Sequence, residues 1–245
     1  VDNIDVDAAT AAGVVVVNSP SGNTVAAAEH TIAMMMAVAR RIPFAHSRML
    51  ARDWAKSKCL GTEVRGKILG VVGLGKIGTE VARRAKGLEM QVIAHDPMLS
   101  EDHMQKMGVE PVSLDDLLAR SDFVTLHVPG GAKTAQLINE DALAKMKPAA
   151  FLINCSRGAV LDEAAVARAL SEGRLAGAAI DVFQGEPNPW SSPLLDAPNV
   201  VLTPHLGAST VEAQLVASLD VAEQICDVLA GRQARSAVNL PRVPA

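Results

Sequence analysis

The sequence predicts an α/β protein built on a doubly wound parallel sheet with helices on both faces, plus the remnant of a second domain. Three observations carry this. Short apolar runs alternate with helical segments between residues 67 and 205. The apolar runs are continuous rather than alternating, as expected of strands buried on both faces. A glycine-rich turn, GLGKIG at 73–78, joins the first run to the first helix.

Taken in order, KILGVVGLG (67–75) is a strand entering the glycine turn, KIGTEVARRAKGL (76–88) a helix and QVIAHDP (91–97) a second strand. SLDDLLARS (113–121) is helical and DFVTLHVP (122–129) a strand. NEDALAKM (139–146) is a helix with Asn139 as N-cap, and AAFLINCS (149–156) a strand. DEAAVARALSEG (162–173) is a helix capped by Asp162, followed by strands LAGAAIDVF (175–183) and NVVLTPH (199–205). At the two ends, residues 24–42 read as one long, largely apolar helix. Residues 209–232 read as another, opened by a Ser209-x-x-Glu212 capping box. The tail, with two prolines and little periodicity, reads as a linker or loose end. The implied organisation is a remnant of a second domain at 1–22, the sheet domain at 23–206 and a returning helix at 207–232. A tail at 233–245 completes it.

The chain has 245 residues, 49% of them apolar and 20% charged, with a formal net charge of −4. That composition is globular. The absence of a dense Lys/Arg block argues against nucleic acid as a partner. The apolar run 24–39 is interrupted by Glu29 and His30 and is short for a membrane span, so no membrane partner is expected. Three well-separated cysteines, Cys59, Cys155 and Cys226, predict a reducing compartment, hence the cytoplasm.

The glycine turn carries specific chemistry. Gly73 permits a tight turn, Gly75 lets a pyrophosphate approach the backbone, and Gly78 lets helix and strand pack closely. The helix that follows offers unpaired N–H groups to phosphate. Eighteen residues past Gly78, Asp96 stands at the end of the next strand, where a carboxylate accepts hydrogen bonds from a ribose diol and repels a 2′-phosphate. The pattern is Rossmann-type and predicts NAD rather than NADP.

Beside a nicotinamide, oxidation of a carbon bearing a hydroxyl needs a base, a group orienting that base, and a cation for a carboxylate substrate. Three loops at the carboxyl ends of predicted strands supply them: Arg157 in NCSRGAV, Glu186 in FQGEPNPW and His205 in LTPHLGAS. Each alone reads better as a surface arginine, a turn acid and a packing histidine. Their convergence on one sheet edge favours a catalytic set.

GNTVAAAEHT, GTEVRGKILGVVGLGKIG, NCSRGAVLDEAAV, GAAIDVFQGEP and TPHLGASTVEAQ together resemble, in order, the D-isomer-specific 2-hydroxyacid dehydrogenase family. Within it the likeness is greatest to the branch that oxidises 3-phosphoglycerate at the entry to serine synthesis. The resemblance implies Arg157 on the substrate carboxylate, Glu186 paired with His205, and His205 as acid/base. It implies Lys76 and Ile77 at the pyrophosphate and Asp96 at the adenosine ribose. Val128, Cys155 and Ser156 would border the cofactor, Asp181 would meet the carboxamide, and Gly207 and Ala208 would line the nicotinamide end. No metal is assigned.

The resemblance also implies an N-terminal substrate segment and C-terminal regulatory domains beyond this sequence. It implies a homodimer or homotetramer paired through residues 24–42 and 48–63, with Met34, Met35 and Met36 in the interface. Lys56 and Lys58 would reach a substrate phosphate, or are solvated surface lysines. Gly130-Gly131-Ala132 replaces the family's Leu-Thr-Pro and predicts a more mobile loop. Three other functions fit the same residues: a glyoxylate or hydroxypyruvate reductase, an NAD-sensing corepressor-like module, and a cofactor domain that binds NAD without turnover.

Overall fold

The structure is a computed structural model and describes residues 4–239. Seven parallel strands form one sheet in the order β3-β2-β1-β4-β5-β6-β7. The strands are β1 (Ile68–Val72), β2 (Gln91–His95), β3 (Glu110–Pro111), β4 (Phe123–Leu126), β5 (Phe151–Asn154), β6 (Gly177–Ile180) and β7 (Val200–Leu202). Chain direction across the sheet reverses between β1 and β4. A crevice therefore opens at their carboxyl ends, the place where such sheets bind ligands.

Successive side chains of each strand enter opposite cores. Leu69, Val71, Phe123 and Ile153 belong to one apolar cluster, and Val72, Val124, Leu126 and Leu152 to the other. Burial on both faces is why the strands read as unbroken apolar runs. Phe123 and Phe151, paired in register across β4 and β5, stack at 4.8 Å.

Helices α2 (Thr24–Ala39) and α4 (Lys76–Gly87) contribute to the first cluster, and α6 (Leu114–Arg120), α7 (Glu140–Lys145) and α8 (Glu163–Ser171) to the second. Ser113, Asn139 and Asp162 cap α6, α7 and α8 by accepting the N–H of the third residue on.

Several local readings are corrected. Residues 24–42 are not one helix: α2 stops at Ala39, Arg41 turns the backbone left-handed at φ 53°, and Pro43 lies in the first turn of α3 (Ile42–Leu50). Proline suits a helix start and not its interior. Met34 and Met35 are buried in the chain's own core rather than offered to a partner. β3 and α5 (Glu101–Lys106) went unseen because neither has an apolar run long enough to show. The helix at the C-terminal end, α9 (Val211–Leu229), is capped by Thr210, whose hydroxyl accepts from the Ala213 N–H, and not by Ser209.

By backbone proximity the chain divides into two compact units. One is Ala27–Gly207, which holds the whole sheet. The second combines the described residues up to Ala26, including α1 (Val6–Ala11), with those from Ala208 on. In it the tail is not loose up to Asn239. Ala237 bridges Val17, Asn239 Oδ1 accepts the Val16 N–H, and the buried Gln224 of α9 bonds both Asn18 and Ser236.

Candidate active site

The glycine turn leaves β1 at Val72. Gly73 has φ +89°, a conformation rarely open to a side chain, and a Cβ there would stand 2.5 Å from the His127 carbonyl. A Cβ on Gly78 would meet the Gly73 carbonyl at 2.1 Å, so α4 packs against the turn at a distance only glycine allows. Gly75 is different: nothing lies within 4 Å of its missing Cβ. It is exposed and caps α4 without a side-chain hydrogen bond, next to exposed Lys76 and half-buried Ile77. Bare backbone and an open helix start fit a pyrophosphate.

Asp96 follows β2. Its Oδ2 accepts the Leu74 N–H at 2.8 Å and its Oδ1 the Met98 N–H at 2.8 Å. The carboxylate is thus tied to the glycine turn itself. His95 beside it points the other way, with Nδ1 3.1 Å from the Val112 carbonyl.

β5, β6 and β7 are neighbours, and each ends in one of the three loops. After β5, Asn154 shapes the turn. Its Oδ1 accepts from the backbone and hydroxyl of buried Ser156, and its Nδ2 donates to the Arg157 carbonyl. Arg157 is exposed; its guanidinium donates to the Ser156 carbonyl and its stem lies against Gly130, so the Gly130–Ala132 loop faces the arginine. Cys155 sits in the same turn. Burial pushes its thiol up to about 12, with the neighbouring Asp181 charge acting in the same direction, so the thiol is neutral and a poor nucleophile. Val128 is half-buried after β4.

After β6, Glu186 Oε1 accepts the Phe183 N–H at 2.8 Å, which folds the loop back on itself. Its Oε2 lies 2.6 Å from His205 Nδ1. This pair is the centre of the site. Among the described residues a hollow of about 290 Å³ borders it, lined by Phe183, Trp190, Leu195 and Leu202. His205 has φ 56°, left-handed for a non-glycine residue, and its N–H donates to the Asp181 carbonyl at 2.8 Å. Such a conformation persists only where its surroundings over-determine it.

Those surroundings are Asp181, fully buried at the end of β6. Its Oδ1 accepts from Thr203 Oγ1 at 2.6 Å and the Leu206 N–H at 2.7 Å, and its Oδ2 from the Gly207 N–H at 2.9 Å. His30 Nε2 lies 3.1 Å from Oδ1. Burial pushes this carboxyl up, but hydrogen bonds from His30, Thr203 and Leu206 outweigh it and hold the group below the usual carboxylate range. Gly207 closes this unit, and the Ala208 carbonyl beyond it accepts the Thr210 N–H.

Residues 32–207 match the family described as D-isomer specific 2-hydroxyacid dehydrogenase, NAD binding domain. The chain belongs to this family. Its cofactor is NAD, as the description of the matched domain states. A D-3-phosphoglycerate dehydrogenase of Synechocystis is 55% identical over 98% of the chain and 43% of its own length. One from Archaeoglobus fulgidus is 48% identical over 99% and 46%. The chain therefore spans about half the length of the curated relatives it matches. Among solved structures, the D-lactate dehydrogenase of Escherichia coli superposes with TM-score 0.89 at 33% identity, covering 98% of this chain and 75% of that one.

The site holds residues that sequence reasoning passed over. Glu163, in the first turn of α8, is buried. It accepts the Gln184 N–H and the Ser192 hydroxyl, and so clamps both ends of the loop bearing Glu186. Thr203 and His30 serve Asp181. The only signal for Thr203 was its place two residues before His205. His30 had only its interruption of an apolar helix.

Proposed function

We propose that the chain is the catalytic NAD-binding part of an enzyme that oxidises a D-2-hydroxy acid, with 3-phosphoglycerate converted to 3-phosphohydroxypyruvate for serine synthesis. The observation that supports this most is the 2.6 Å contact between His205 Nδ1 and Glu186 Oε2 at the cofactor edge of the sheet. The names of the Synechocystis and Archaeoglobus relatives support the choice of substrate.

With Nδ1–H donated to Glu186, His205 Nε2 is left to take the substrate's hydroxyl proton. Glu186 favours the imidazolium that results. Arg157 grips the substrate carboxylate and holds the reacting carbon over the cofactor edge. When bound, NAD supplies the two-electron acceptor. Gly75, Lys76 and Ile77 hold its pyrophosphate and Asp96 its adenosine ribose. Val128, Cys155 and Ser156 wall the crevice. In the reverse direction His205 starts protonated and returns the proton.

We also propose pairing of two copies. Leu50 at the end of α3, and Trp54 and Leu60 after it, are each more than 70% exposed, and Trp54 and Leu60 flank the short turn that carries Lys56 and Lys58. These apolar groups, rather than the methionines of α2, are the surface offered to a partner.

The deciding experiment follows NADH absorbance with 3-phosphoglycerate, glycerate and D-lactate as substrates, after NAD binding has been shown by calorimetry. A preference for 3-phosphoglycerate is expected. Preference for D-lactate or glycerate sinks the substrate assignment. Binding without turnover of any substrate reduces the chain as given to a cofactor domain.

Asp96→Ala tests the ribose assignment separately. NAD affinity should fall about tenfold, the scale of a hydrogen bond to a charged group, and the preference over NADP should shrink. An unchanged NAD-to-NADP ratio would remove Asp96 from that role.

A further inference from the structure

We infer that His30 is a positioning residue for the nicotinamide end of the cofactor site, coupling helix α2 to Asp181 and through it to the loop that carries His205. The inference rests on the reading of the 155–207 edge as that end of the NAD crevice.

The donors on Asp181 divide by origin. Thr203, Leu206 and Gly207 all belong to the loop being held. His30 alone, among the described residues bonded to this carboxylate, comes from a separate element. The three loop donors fold the loop around Asp181. The fourth ties that assembly to a helix anchored in the core by Met34, Met35 and Val38.

The tautomer follows from the partners. Thr203 spends its hydroxyl proton on Asp181 Oδ1, at 2.6 Å. Its oxygen, 3.3 Å from His30 Nε2, can then only accept. Both neighbours of Nε2 are acceptors, so Nε2 carries the hydrogen. The preceding residue on α2, Glu29, accepts from Arg84 Nη2 in the last turn of α4.

His30, Cys155 and Asp181 also place three possible metal ligands within 4.8 Å of one another. Both Asp181 oxygens already accept from the loop. The hydrogen bonds make this cluster a node that ties the loop to α2.

ADP-ribose, which lacks the nicotinamide, separates the two ends of the site. NAD and ADP-ribose are titrated into the wild-type chain, His30→Leu and His30→Gln. His30→Leu should bind NAD about tenfold more weakly, with ADP-ribose within about twofold of wild type. His30→Gln, whose amide nitrogen can donate from nearly the position of Nε2, should recover most of the NAD affinity. Retained ADP-ribose binding doubles as the check that the variant folds. Three outcomes overturn the inference: His30→Leu binding NAD normally, His30→Gln being as impaired as His30→Leu, or His30→Leu losing both ligands together. If the wild-type chain binds neither ligand, the cofactor reading itself fails and the inference falls with it.

Discussion

In the full-length protein, His205→Asn is expected to lower turnover by about 10²–10⁴-fold, the usual contribution of a positioned acid/base. NAD affinity should change little. The two quantities separate because His205 is held by its backbone and used through its ring. Its N–H stays on the Asp181 carbonyl, and the loop around it stays on the Asp181 carboxylate, whatever the side chain. Asparagine also tolerates the left-handed backbone at φ 56° better than most residues, so the loop should keep its shape. What is lost is an Nε2 able to take a proton while Nδ1–H remains on Glu186. Glu186→Gln should give a smaller loss, since the Phe183 N–H keeps an acceptor while the charge facing the imidazole goes. Steady-state rates with NAD titrations on each variant decide it. Turnover surviving in His205→Asn would make the histidine a packing residue.

The parts of this site legible in the sequence are those whose signal is local. Val71, Val72, Phe123, Val124 and Ile153 read as strand because each strand faces apolar cores on both sides. Asn139 and Asp162 read as caps because a cap reaches only three residues. Arg157, Glu186 and His205 could be placed on one edge because each lies past the end of its strand and β5, β6 and β7 are neighbours in the sheet.

What escaped is held by long-range bonds. Glu163 stands in a helix's first turn, and its partners are 21 and 29 residues away. His30 meets a carboxylate that no periodicity connects to α2. The sharing of the Asp181 oxygens among Thr203, Leu206, Gly207 and His30 likewise has no local signal. Pattern reading says which residues are buried or exposed, and three-dimensional pairing says which of them answer one another. The helix break at Arg41 was local, and the Ile42-Pro43 pair was its available signal.

Gly158→Ala should be the most damaging single methyl at the site. A Cβ there would stand 2.1 Å from the Phe183 carbonyl carbon, 2.2 Å from its oxygen and 2.6 Å from the Gln184 nitrogen. All three are backbone atoms, so no rotamer change relieves the overlap and the chain at 183–184 has to retreat. That segment is where Phe183 donates to Glu186 and Gln184 donates to Glu163. Moving it costs packing and weakens two hydrogen bonds to carboxylates, together about 3 kcal/mol or more. For a chain of this size that corresponds to a melting temperature lower by roughly 6–12 °C. Gly75→Ala is the contrasting case. Nothing surrounds its Cβ and its φ is −69°, so the melting point should move by no more than about 3 °C. NAD affinity should fall, because the added methyl stands where the pyrophosphate meets bare backbone. Thermal melts and NAD titrations on the two variants therefore give opposite patterns: Gly158→Ala unstable, Gly75→Ala stable but weak for NAD. Equal melting points would mean that the 183–184 segment yields without loss and that the clamp on Glu186 is looser than its distances imply. Undiminished NAD binding by Gly75→Ala would move the pyrophosphate away from the glycine turn.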